Sequence, residues 1–142
     1  MATERGSMAA DLDMHAMAVD AAARSRDPNG LESYLDVAEE SAARANHVLY
    51  AAVARRARGI SHHLAGEFDE AAEQLGAAAD QFRAIDTPWQ VGRTLMELGE
   101  VEQQRGKVDL AREHYSEALA AFEGLGAAPD ADRARSALES LA

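Results

Sequence analysis

The chain has 142 residues, no cysteine, and 25 acidic against 14 basic side chains, giving a formal net charge of −11. That balance disfavours nucleic acid and anionic membrane as general partners, and the missing thiols exclude disulfides, thiolate metal sites and cysteine nucleophiles. One domain is expected at this length, no apolar run approaches a membrane span, and no secretory core opens the chain, so a cytoplasmic location is the expectation.

Residues 1–7 carry Gly6-Ser7 ahead of a second methionine, Met8, and read as an expression scar or disordered tail before a single domain over residues 8–142. Helical spacing of Leu12, Ala16, Val19 and Ala23 predicts a first helix over Ala9 to Arg26, stopped by the turn signal Asp27-Pro28-Asn29-Gly30. Leu31 to Ala45 follows, with Leu31, Leu35, Ala38, Ala42 and Ala45 on one side. The third helix, Val48 to Ala65, carries Leu49, Val53, Ala57, Ile60 and Leu64 as a stripe and ends at Gly66, a residue suited to a left-handed cap. Glu67 to Ile85 is the fourth, its opening acids Glu67, Asp69 and Glu70 favourable against the helix dipole. Thr87 as N-cap and Pro88 as first residue start the fifth, which runs to about Arg105 and stops at Gly106. Lys107 to about Leu125 is the sixth; Gly124, Gly126 and Pro129 bracket a turn, and Asp130 to Leu141 is a shorter seventh.

Gly66, Phe68, Ala71, Ala78, Phe82 and Ile85 return forty residues later as Gly106, Val108, Ala111, Ala118, Phe122 and Leu125. A constant offset in both residue type and spacing marks an internal repeat, and repeats of this length stack. The expected fold is all-α: a right-handed array of three antiparallel helical hairpins, about 9–45, 48–85 and 88–125, with a C-terminal capping helix at about 130–141. Asp132, Arg133, Arg135 and Glu139 give that cap a polar outer side. Ala71, Ala78, Gly99, Ala111 and Ala118 are the expected close crossings, with Phe68, Leu75, Tyr115 and Phe122 filling between them. Within the third helix a shift of 38 is preferred, because it aligns Val53, Ala57 and Ile60 with Val91, Leu95 and Leu98, whereas a rigid forty sets Arg55 and Arg58 at core positions. That register requires a shorter turn at Gly66.

At Leu98-Gly99, Gly106, Val108, Ala111, Tyr115 and Ala118, and again at Gly66, Phe68, Ala71, Leu75 and Ala78, the chain resembles the tetratricopeptide repeat family. The longer period, with Phe122, Leu125-Gly126-Ala127 and Ala131 to Leu138, is similar to repeats appended to large bacterial signal-responsive ATPases and regulators. The resemblance implies a groove lined by the first helix of each unit. Carried onto this chain, its ligand-facing positions are Arg55, Arg58 and His62; Arg93, Met96 and Glu100; and Arg133, Ser136 and Ser140. Arginine at the first of these places in each helix suggests recognition of carboxylate or phosphate by a planar guanidinium, the plainer alternative being arginines paired with nearby acids such as Glu97 and Glu100. The asparagines with which the family clamps a terminal carboxylate are not evident.

Other chemistry has few candidates. Ser61-His62-His63 sets a hydroxyl beside two imidazoles, but neighbours on a helix diverge by about 100°, so they read as solvated. His63 and Glu67 are four apart with a turn between them, and the acids from Glu67 to Glu73 lack the alternating spacing of a calcium loop. Trp89 reads first as a packing residue. No catalytic residue, metal or cofactor is expected. The expected function is a non-enzymatic protein-interaction module that takes a peptide or helix of another protein, acidic segments included, in its groove. The alternatives are a sensor of a small anionic effector and a homodimer formed through the first helix, where Met8, Met14 and Met17 offer an adaptable apolar face.

Overall fold

The computed structural model describes the backbone of residues 2–141 and the side chains of residues 11–141. The described residues form seven helices and no strand: α1 Ala2–Arg24, α2 Pro28–Arg44, α3 Val48–Leu64, α4 Phe68–Ala84, α5 Pro88–Gln104, α6 Val108–Leu125 and α7 Ala128–Ser140. Helix α1 therefore starts inside the segment read as a scar or tail. No described helix is long and apolar enough to cross a membrane.

The helices stop by one device. Arg26, Asn46, Gly66, Asp86, Gly106 and Gly126 all have positive φ, at intervals of twenty residues. At each, the following amide donates to the carbonyl five residues back, from Asp27 to Ala22 at 3.0 Å through Ala127 to Phe122 at 2.9 Å, while the left-handed residue donates three back. This is the Schellman arrangement, which satisfies the orphan carbonyls of a helix end. One sequence expectation is corrected and one is refined. The first reversal is made by Arg26, and Asn29-Gly30 lie inside the first turn of α2. Thr87 stands at the N-cap of α5 but its hydroxyl donates back to Phe82 O at 3.0 Å, so it ties α5 to the end of α4.

Each helix packs on its neighbours in the chain, and α1 and α5 both also touch α3. Buried alanines Ala71, Ala78, Ala111 and Ala118 mark close approaches, as the small-residue pattern predicts. Glycines make the tightest ones. A Cβ on Gly99 would stand 2.3 Å from the Tyr115 ring, and one on Gly59 would stand 2.6 Å from Leu75. Gly59 and Gly99 are forty apart, as are Leu75 and Tyr115. That relation, with connections of equal length at Gly66 and Gly106, fixes a rigid forty-residue register for α3 on α5 and overturns the shift of 38. Helix α7 buries Ala131 and Ala134 against α6 and keeps Asp132, Arg133, Arg135 and Glu139 exposed.

Candidate functional site

In the forty-residue register the partners of Arg93, Met96 and Glu100 on α3 are Val53, Arg56 and Ile60. Val53 and Ile60 belong to the core. Arg56, which the sequence pattern did not single out, is 1% exposed and is the largest fully buried side chain. Its Nη2 donates to Asp20 Oδ1 at 3.2 Å and its Nη1 to Gln90 Oε1 at 2.6 Å and Thr94 Oγ1 at 3.3 Å, with the guanidinium 4.9 Å above the Phe82 ring. Burial pushes its pKa down to about 10, with the nearby Arg93 charge acting the same way and Asp20 opposing both.

Asp20 is shared. Arg93 donates to both its oxygens, Nη2 to Oδ1 at 2.7 Å and Nη1 to Oδ2 at 3.1 Å, in the forked geometry a guanidinium favours. Burial alone would raise the Asp20 pKa, yet the hydrogen bonds and charges of Arg93 and Arg56 outweigh it and hold the carboxyl below its ordinary value. A second tie runs beside the first. Arg26, at the α1–α2 turn, reaches Glu97 Oε2 at 2.9 Å and Glu100 Oε2 at 3.0 Å on α5. The last turns of α1 are thus joined by charge to α5, across α3.

Beyond these ties opens a cavity of about 330 Å³. Trp89, Met96 and Phe122 supply its apolar surface, Arg24, Arg93 and Arg133 its cations, and Glu97, Glu100 and Asp130 its acids. Trp89 donates its indole N–H to Asp130 Oδ2 at 3.1 Å, and the Arg93 guanidinium lies 5.7 Å from the Trp89 ring. Arg133 pairs with Asp130 on its own helix. Arg24, exposed in the last turn of α1, has no carboxylate partner among the described residues. The lining sets three arginines, Arg24, Arg93 and Arg133, against three carboxylates, Glu97, Glu100 and Asp130, so the cavity is locally balanced in a chain of net charge −11.

Of the ligand-facing positions expected from the sequence, Arg93, Met96, Glu100 and Arg133 line this one cavity, while Arg55, Arg58 and His62 are not with them. Arg55 is exposed and makes no ion pair among the described residues. Arg58 turns to α2, with Nε donating to Glu39 Oε2 at 3.2 Å and Nη2 to Asp36 Oδ1 at 2.9 Å. His62 Nδ1 meets Glu67 Oε1 at 3.0 Å across the α3–α4 turn. Ser136 and Ser140 are exposed on α7 and do not line the cavity. A larger hollow of about 560 Å³ lies at the starts of α4 and α6, but its lining of Glu67, Asp69, Glu70, Arg105 and Lys107 is charged, with Phe68 its one large apolar side chain. That composition suits a solvated crease better than a specific pocket.

No family model, curated protein or solved structure matches the chain. The coordinates define an all-α protein of neighbour-packed helices, with a mixed apolar and charged cavity lined from α1, α5, α6 and α7.

Proposed function

We propose that the helices form a right-handed array of three antiparallel hairpins, α1–α2, α3–α4 and α5–α6, capped by α7. In this reading the array is a non-enzymatic module that binds another protein, taking an acidic or carboxylate-terminated segment in the cavity. The architectural part rests on the twenty-residue spacing of identical caps and on the forty-residue recurrence of Gly59 against Leu75 as Gly99 against Tyr115. The functional part rests on one observation: in a strongly acidic chain, the cavity sets Arg24, Arg93 and Arg133 around Trp89, Met96 and Phe122, and Arg24, unlike the other two, has no carboxylate partner among the described residues. Apolar surface with a few convergent polar groups is what a binding site requires.

The cavity volume of about 330 Å³ also favours a second reading, a small anionic effector bound in the same place; ligand sites begin at roughly 300 Å³. One experiment separates the two. Titration with a fluorescent glutamate-rich peptide ending in a free carboxylate should show binding that weakens as salt rises, by about tenfold in Arg24→Glu or Arg133→Glu, and little in the control Arg112→Glu. Citrate that binds where the peptide does not would favour the effector. Equal loss in all three variants would remove the cavity as the site.

A further inference from the structure

Two of the acids that line the cavity, Glu97 and Glu100, also approach a histidine. His63 stands in the last turn of α3; Glu97 and Glu100, three residues apart, share one face of α5. A nitrogen of His63 and one oxygen from each carboxylate all lie within 4.8 Å of one another. Arg26 is the resident cation: its Nη2 donates to Glu100 Oε2 at 3.0 Å, yet it leaves other polar atoms unmatched. Its Nη1 is buried without a hydrogen-bond partner, His63 Nδ1 is buried without one, and Glu97 Oε2, although 2.9 Å from Arg26 Nη2, is outside hydrogen-bond geometry. An under-satisfied polar atom on each of three interacting side chains is uncommon in a packed protein, where buried polar groups are nearly always partnered.

We propose that His63, Glu97 and Glu100 form a divalent-cation site, suited to Zn²⁺, in which the metal displaces the Arg26 guanidinium. One imidazole with two carboxylates is a donor set of first-row transition metals; Mg²⁺ and Ca²⁺ prefer oxygen alone. Two carboxylates neutralise the ion, and water completes the shell. Spacing in the sequence sets His63 against Glu67, but Glu67 meets His62 instead. Ligand atoms of a tetrahedral zinc ion, at about 2.1 Å from the metal, sit about 3.4 Å apart, so the three side chains must draw together and Arg26 must leave. Its side chain is 36% exposed at a surface turn and has solvent to move into.

The test is calorimetric titration of ZnCl₂ into the untagged full chain, with Co²⁺ absorption as a second readout that reports inner-sphere ligands. One ion per chain is expected. Glu97→Gln and Glu100→Gln should each weaken it about tenfold or more, and His63→Gln should abolish it. Arg26→Met should tighten it about tenfold by removing the competing cation. Thermal melts of each variant establish folding, and Glu100→Gln, at an exposed position, keeps the test decisive if the others fail to fold. Zinc bound equally well by His63→Gln is adventitious surface binding and overturns the site, as does an Arg26→Met chain that binds none or binds no tighter.

Discussion

Asp20 is the residue on which the charged interior depends. It accepts from Arg56 and Arg93 together, and without it two guanidiniums face each other with Arg56 in the core. Removing one partner of a buried ion pair costs about 3–5 kcal/mol, and Asp20→Ala should lower stability by that order in a denaturant melt. The pH dependence has a definite sign. The folded-state pKa of Asp20 is held below its ordinary 3.8, so its stabilising contribution is fully present above that value and is lost as pH falls through the folded pKa. The gap in melting temperature between the wild-type chain and Asp20→Asn should stay constant from neutral pH down to the ordinary carboxylate range and shrink below it. A gap unchanged at low pH would remove Asp20 as the anchor. Arg56 also bears on the register: keeping unpaired arginines out of the core argues for a shift of 38, yet one arginine is in the core, partnered by Asp20, Gln90 and Thr94 from α1 and α5. Partners 34 to 38 residues away leave no local signal.

At the scale of the helix, the caps and crossings set the repeat. Gly99 has no room for a methyl group, so Gly99→Ala should overpack against Tyr115 and destabilise by about 1–3 kcal/mol in thermal melts, despite the better helix propensity of alanine. Asp86 carries the opposite expectation. It is an exposed L-residue held at φ 53°, and Asp86→Gly should raise stability by about 1 kcal/mol by relieving that strain. These two positions show what was legible. Glycine advertises a left-handed cap, so the stops at Gly66 and Gly106 and the forty-residue offset were readable, and the buried alanines with them. Arg26, Asn46 and Asp86 take the same conformation under side chains that disguise it, so the underlying twenty-residue interval was not. Of the candidate site, α5 and α7 were placed correctly because Pro88, Gly106 and Pro129 bracket them. The α3 residues were not, since charge was used to choose the register where the Gly59 and Gly99 crossings decide it.

Over the whole molecule, α1 packs on α2 and α3 and also lines the cavity. It supplies Asp20 and Arg24, while Met14 and Met17 stand 57% and 71% exposed. Exposed, adaptable methionines on a terminal helix favour self-association. Sedimentation should report a dimer that Met14→Glu with Met17→Glu dissociates; a wild-type chain monomeric at all concentrations would exclude it. The ties Asp20 to Arg93 and Arg26 to Glu97 draw α1 toward α5, so the accessible face lies beside α7 instead of along α3. The most direct measurement is an amide and indole NMR titration with the carboxylate-terminated acidic peptide, since the chain has a single tryptophan and its N–H is bonded within the cavity to Asp130. The proposed site predicts shifts concentrated at Arg24, Trp89, Arg93, Met96 and Arg133 and lost in Arg24→Glu. Shifts centred on Arg55 and Arg58, or in the crease between Glu67 and Lys107, with the Trp89 indole unmoved, would contradict it.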